Sequence, residues 1–348
     1  MGQGPGAAEY GVVAATFKPI PETETPGFFR LDLLRTQIQG SIVPKRRNCH
    51  NREAGFNEFS EQPIMTVIVG YILVIGGILG GYLGAGGHIG ILIQPFEMII
   101  IFGGAVGAFV VSNSPKVLKA AAGSIVLAFR GSPYTKEFYL ETLTLLSKIF
   151  VKIRQNGLLS IEGDIENPEQ SELFKTAPKV LADHHAVDFI TDYLRLMSSG
   201  SLDVHQLDNL MDLDIDTHHE EGHLPIAAMA RMADGMPAFG IVAAVMGVVH
   251  TMESLDKPQT VLGGLIAAAL VGTFLGILIS YGFVAPLVGN LEQKLGDSTK
   301  YYQAIKAGLI ASMNGYPPPT AVEFARKVMF SLERPGFQEL EEHIKANK

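Results

Sequence analysis

Between Lys257 and Glu292 the chain reads PQTVLGGLIAAALVGTFLGILISYGFVAPLVGNL, residues 258–291, without one charged side chain. A bilayer core takes roughly 20 helical residues at about 1.5 Å each. The stretch therefore spans a membrane with length to spare, and its apolar part closes near Pro286. Its middle holds two hydroxyls besides Tyr281, those of Thr273 and Ser280. Seven residues apart, they lie within roughly 20° of one helix face. A narrow polar seam on an apolar span predicts a wet or ion-lined contact.

Three more segments of this kind follow from the same rule. An uncharged run covers 62–96 with its apolar part from Met65 to about Leu83, a second runs from Met98 to Pro115, and a third from Gly235 to Met252. Each is about 18 residues or longer, the length of a spanning helix. Glycines recur at intervals of four: Gly76, Gly80 and Gly84, then Gly103 and Gly107, then Gly272 and Gly276. Small residues at that spacing let helices approach closely in lipid. In water each such glycine costs up to ~1 kcal/mol of helix stability. With 47% hydrophobic residues in 348, clumped rather than periodic, the chain is predicted to be an all-α integral membrane protein with four transmembrane helices.

Basic residues orient it. The loop 84–94 has no Lys or Arg, and 253–262 has only Lys257; the segment 116–231 carries eleven and the part after Glu292 carries eight. Basic flanks stay on the cytoplasmic side. Both termini and the long segment between helices two and three are therefore expected in the cytoplasm, the C-terminus as part of a cytoplasmic C-terminal tail. The expected divisions are 1–64, an extension; 65–112, spans one and two; 113–232, the cytoplasmic segment; 233–290, spans three and four; and 291–348, the tail. Residues 1–64 hold Pro5, Pro19, Pro21, Pro26 and Pro44 and the cluster Lys45, Arg46 and Arg47. Prolines at that density oppose regular structure. The expectation is a disordered extension, or translation that begins at Met65. A net charge of −8 argues against a nucleic-acid partner, and the lone Cys49 excludes an internal disulfide.

The cytoplasmic segment keeps helical patterning. Leu140, Leu143, Leu146, Phe150 and Ile153 mark an amphipathic helix that breaks at Asn156-Gly157. Further runs cover Val187 to Met197 and Leu207 to Ile215. Arg154 and Glu162 flank the break. They fit an ordinary solvated charged face, or a charged surface that steers a protein partner.

His219-Glu220-Glu221-Gly222-His223 matches H-E-x-x-H, which on a helix would hold zinc with Glu220 as general base. Gly222 within the motif and Pro225 after it are expected to weaken that helix. Pro237 is read as opening span three, where a first turn tolerates it, and it shares a face with Ala244. No span holds Asp, Glu, Lys or Arg apart from Glu97 at a boundary. Proton carriers place an ionisable group in the membrane, so a proton path here needs a carboxylate from a partner.

From Met65 to about Lys345 the chain resembles the MotA family of flagellar stator subunits, within the wider group of MotA, TolQ and ExbB channels. The resemblance rests on Arg154-Gln155-Asn156-Gly157, Asp164 to Pro168, Pro237-Ala238-Phe239-Gly240 through His250, Val271 to Gly276 through Pro286, Asn314-Gly315-Tyr316-Pro317-Pro318, and Glu323-Phe324. It implies a ring, a pentamer, of this chain around a MotB-type dimer whose aspartate carries the ion, set in the lipid of the bacterial inner membrane. It implies torque on the rotor protein FliG through Arg154 and Glu162. It places Pro237, Ala244, Thr273 and Pro286 along the ion path. Sodium-driven relatives carry Thr where this chain has Ala244, so the resemblance implies protons. No cofactor and no enzymatic activity is implied. An ExbB/TolQ-like energiser of outer-membrane transport is the alternative, and its members have three spans rather than four.

Overall fold

A computed structural model of the chain describes residues 63–347, with side chains from Met65. The expectations for residues 1–62 lie outside the described residues. Thirteen α-helices, with 3₁₀ and π turns between some of them, make up the regular structure of the described residues, which contain no strand. The protein is an all-α membrane protein with a large helical segment between its second and third crossings. Four helical stretches, Met65–Gly84, Ile89–Ser112, Val204–Met252 and Gln259–Met313, are long and apolar enough to cross a bilayer.

Helix α1 (Pro63–Gly84) and the pair α2 (Ile89–Leu92) and α3 (Pro95–Ser112) form the first two crossings. Ser114 accepts from the amide of Val117 at the start of α4 (Pro115–Ala128), with Pro115 at its first position. The last carbonyls of α4, at Leu127 and Ala128, receive the Lys294 ammonium at 2.8 and 2.9 Å. A cation at a helix C-terminus satisfies those orphan acceptors.

Helix α5 (Lys136–Asn156) carries the predicted apolar stripe and buries it: Leu143, Leu146 and Phe150 lose nearly all exposure. It ends at Gly157, whose φ of 81° is costly for a side-chain-bearing residue. A 3₁₀ turn, Leu158–Ile161, leads into α6 (Glu162–Glu166). Then come α7 (Pro178–Leu181) and α8 (His184–Ser199), the latter closed by Gly200 in the left-handed conformation.

Helix α9 (Val204–Met252) is 49 residues long and opens with a capping box between Asp203 and Gln206. Its length corrects two expectations about the helix. Pro237 is not in a helix's first turn; it sits well inside α9. The helix also runs unbroken through Gly222 and Pro225, because Gly222 lets the Leu295 side chain come close and Pro225 is buried. Tertiary packing outweighs propensity there.

The helix of the fourth crossing likewise continues past Pro286. Helix α10 (Gln259–Ile279), a π turn (Ser280–Val284) and α11 (Ala285–Met313) join without a gap. Pro286 has no amide proton for the carbonyl of Gly282, and its ring opposes the preceding turn. The ladder widens instead, with the Ala285 amide reaching the Ser280 carbonyl five residues back. Helices α12 (Pro318–Val328) and α13 (Phe337–Ala346) complete the fold.

Hydrophobic cores form at three levels. Helices α5, α8, α12 and α13 close around the outer parts of α9 and α11, with Tyr139, Phe150, Phe174 and Tyr301 at the centre. Ala121, Ile226, Met229, Val288 and Leu291 join α4, α9 and α11. Ile101, Ala105, Met236 and Ala243 join α3 to α9. Elsewhere the crossings leave large apolar side chains outside, such as Leu73 at 69% and Val111 at 89% exposure. Surface of that kind suits lipid or a neighbouring chain.

Candidate functional site: a helix crossing and a charged rim

The third and fourth crossings touch backbone to backbone. A Cβ at Gly240 would stand 2.8 Å from the Gly272 carbonyl oxygen and 3.1 Å from the Gly276 Cα. One at Gly276 would meet the Gly240 Cα and the Met236 carbonyl oxygen, both at 2.9 Å. The spacing of Gly272 and Gly276 predicts this approach; Gly240 is their counterpart on α9, where only a lone glycine marks the place. Gly104 of α3 does the same for the Phe239 ring, leaving no room for a side chain of its own.

Ala244 and Thr273 flank this crossing. The position a Cβ would take on Gly272 is 3.2 Å from the Ala244 amide nitrogen, and that on Gly240 is 3.4 Å from the Thr273 Cα. Both residues are half-buried, as is Pro237, while Pro286 is exposed just beyond the π turn. The two hydroxyls of the expected seam part company. Thr273 keeps partial exposure. Ser280 is fully buried and donates to the Ala233 carbonyl oxygen at 2.7 Å, so the wet seam reduces to Thr273. On the other side of the π turn, the Tyr71 hydroxyl of α1 donates to the Phe283 carbonyl at 2.9 Å, with the two rings stacked at 5.1 Å.

Arg154 and Glu162 lie away from this crossing, on the exposed rim at the end of α5 and the start of α6. Arg154 donates to the Gly315 carbonyl at 3.2 Å, which places the Asn314-Gly315-Tyr316 turn beside it. Gly315 has a φ of 81°. Glu162 is exposed and forms no ion pair among the described residues. The neighbouring Asp164 is spent differently. It takes Lys152 at 2.6 Å and the Ser171 hydroxyl at 2.6 Å, so it ties α6 down to α5. A sequence can show three acids at alternate positions, Glu162, Asp164 and Glu166, but not which one is held.

The H-E-x-x-H histidines do share a helix face, their rings 6.2 Å apart. His219 Nδ1 pairs with the Thr299 hydroxyl at 2.9 Å, and His218 Nε2 reaches the Ser298 hydroxyl at 3.4 Å. These contacts tie α9 to α11. Among the described residues no group of three His, Cys, Asp or Glu side chains converges on a metal position.

Outside the membrane, the Glu323 carboxylate grips Arg326 through two bonds of 2.7 Å, and Arg326 also caps the Pro335 carbonyl at 2.8 Å. The guanidinium beside it holds Glu323 below the ordinary carboxylate value. Burial, reinforced by a hydrogen bond to Asp214, pushes the Tyr193 phenol up. Both are structural arrangements of the helical segment rather than reactive ones.

Two family models match the chain: motility protein A N-terminal over residues 68–157, and the MotA/TolQ/ExbB proton channel family over 182–304. Motility protein A of Salmonella typhimurium is 51% identical over 282 residues, which is 81% of this chain and 96% of that protein. Motility protein A of Escherichia coli is 49% identical over 284 residues, 82% of this chain and 96% of the relative. The fold is similar to the solved structure of C. jejuni MotAB, with a TM-score of 0.64 at 20% identity, covering 77% of this chain and 96% of that one. This multi-pass membrane chain belongs to the motility protein A family.

Proposed function

We propose that the chain is the stator subunit of a bacterial flagellar motor, conducting protons across the inner membrane and converting their flow into torque. The observation that carries this is the close crossing of α9 and α10. It places Ala244 and Thr273 at the same helix contact, in a span region that has no carboxylate of its own. Such a wall guides a proton only when a second chain supplies the titrating group. A MotB-type partner with an intramembrane aspartate fits that need, and the MotAB architecture of the structural neighbours supports it.

The ring of this chain, a pentamer, surrounds that partner, and the apolar faces of α1 and α3 meet lipid. Both termini and the segment 113–232 lie in the cytoplasm, as the distribution of Lys and Arg requires. Arg154 and Glu162 stand exposed on the rim, where opposite charges steer the encounter with the rotor protein FliG. Ala244 offers no hydroxyl to replace the hydration shell of sodium, which favours protons. Relatives at about half identity that bear the motility name support this reading over an energiser of the ExbB type.

The test is reconstitution. The complex with its MotB-type partner, placed in lipid vesicles, takes up protons under an imposed gradient, and deletion of the gene leaves flagella assembled but still. Swimming speed that follows external sodium at fixed proton-motive force would overturn the proton assignment. Loss of the filaments themselves would overturn the motor role.

A further inference from the structure

A proline inside a helix leaves the carbonyl four residues before it without its amide donor. For Pro237 that carbonyl belongs to Ala233, which is 1% exposed, out of reach of bulk water. An unpaired carbonyl there is costly. The donor comes from the other helix: the Ser280 hydroxyl lies 2.7 Å from the Ala233 oxygen.

This bond is unlike the serine and threonine bonds to backbone carbonyls in the neighbouring helices. Ser112 bonds Ala108, Ser124 bonds Ala120, Thr251 bonds Gly247, and Thr299 bonds Leu295, each four residues back in its own helix. A serine ordinarily does that. Ser280 reaches across from the first residue of the π turn to α9. It does so one turn beyond the Gly240, Gly272 and Gly276 contact, where a Cβ on Gly276 would touch the Met236 carbonyl.

We propose that Ser280 is a positioning residue for the ion path: its hydroxyl stands in for the amide proton that Pro237 lacks, and so fixes how α9 and α10 meet beside Ala244 and Thr273. The inference rests on the ion-conducting reading above. It assigns to Ser280 no contact with the ion. Its effect passes through the two helices whose crossing it closes.

The test is a double-mutant cycle in the complex with the MotB-type partner, in lipid vesicles. Proton flux is normalised to the amount of assembled complex, and a label pair on α9 and α10 reports their separation. Ser280→Ala removes the donor. Ser280→Cys fills the site with a slightly larger group that donates only weakly. Both lower flux per complex by roughly 2- to 12-fold, the Boltzmann factor of one net hydrogen bond, and both broaden the label distances. In a Pro237→Ala background the restored amide at 237 takes back the Ala233 carbonyl. There Ser280→Ala leaves the label distances as in its parent, even when that parent conducts nothing.

A conducting wild type in which Ser280→Cys matches Ser280 in flux and distance overturns the inference and leaves the ion-path reading intact. So does a Ser280→Ala distance change of equal size in both backgrounds. A wild-type complex that conducts no protons overturns the ion-path reading, and the positioning role with it.

Discussion

Replacing Gly240 with alanine adds one methyl group where two backbones meet. Its carbon would stand 2.8 Å from the Gly272 carbonyl oxygen, 3.1 Å from the Gly276 Cα and 3.4 Å from the Thr273 Cα. Optimal carbon separations are about 3.5–4.0 Å. All three obstacles belong to the backbone or to its branch point, so no rotamer change relieves them. The helices must part by roughly 0.5–1 Å, and each atom pair across the crossing then forfeits a quarter to a half of its attraction. Overpacking of this kind costs about 1–3 kcal/mol. In lipid no hydrophobic term offsets that loss, because van der Waals packing itself holds the helices. Thermal unfolding of the purified complex in detergent should show a lowered midpoint for Gly240→Ala and for Gly276→Ala. The double variant should cost less than the sum, since one separation accommodates both methyls. Gly296→Ala, whose new methyl meets nothing within 4 Å, should be neutral or stabilising by up to ~1 kcal/mol through helix propensity. A Gly240→Ala complex with an unchanged midpoint and unchanged α9–α10 label distances would refute the close-crossing argument.

Three further outcomes are expected. Asp164→Ala frees α6 from α5 by removing the partner of Lys152 and Ser171; amide exchange in residues 158–166 should accelerate roughly 5- to 10-fold, about 1 kcal/mol of local stability, and protection equal to wild type would count against the tie. Arg154→Ala and Glu162→Ala, both on the exposed rim, should shift stability by less than ~0.5 kcal/mol yet slow swimming, and a lowered thermal midpoint matching the motility loss would make them structural instead. Glu323 is held below its ordinary value of 4.5 by Arg326, so its contribution to stability is complete above about pH 4.5 and disappears as pH falls through the lower folded value. Glu323→Gln should flatten that acid limb of a stability–pH profile, and an unaltered limb would contradict the pairing.

The division between legible and illegible features follows particular residues. The run 258–291 announced a membrane crossing because lipid forbids unpaired charge and unpaired backbone over about 20 residues. The stripe from Leu140 to Ile153 announced α5 because an amphipathic helix repeats every 3.6 residues, and Gly157 marked its end. Helix ends are less legible than crossings. Pro237 and Pro286 look like helix boundaries in a local window, yet α9 and α11 continue through them. Each proline has a remedy: a hydroxyl from another helix for Pro237, a widened π turn in its own helix for Pro286. Gly222 and Pro225 likewise look like breaks, yet Gly222 is a packing position against Leu295 of α11 and Pro225 is buried within α9.

The candidate site divides in the same way. Spacing marks Thr273, the break at Gly157 marks Arg154 and Glu162, and the family motifs add Ala244. Their separation into a charged rim and a membrane crossing is a property of the folded chain. Thr273 and Ser280 share a helix face by spacing, and spacing alone makes them equivalent. The structure makes one half-buried and spends the other on Ala233, 47 residues away in the chain. By itself the sequence determined composition-level and short-period facts: four crossings, helical class, and apolar spans with no charged side chain inside them. Those follow from solvation and from helix periodicity, which act over a few turns. Tertiary structure decided which helices continue, which glycines admit a neighbouring backbone and which hydroxyl closes a freed carbonyl. Such contacts depend on residues distant in the chain meeting within 3 Å, and no local pattern encodes that meeting.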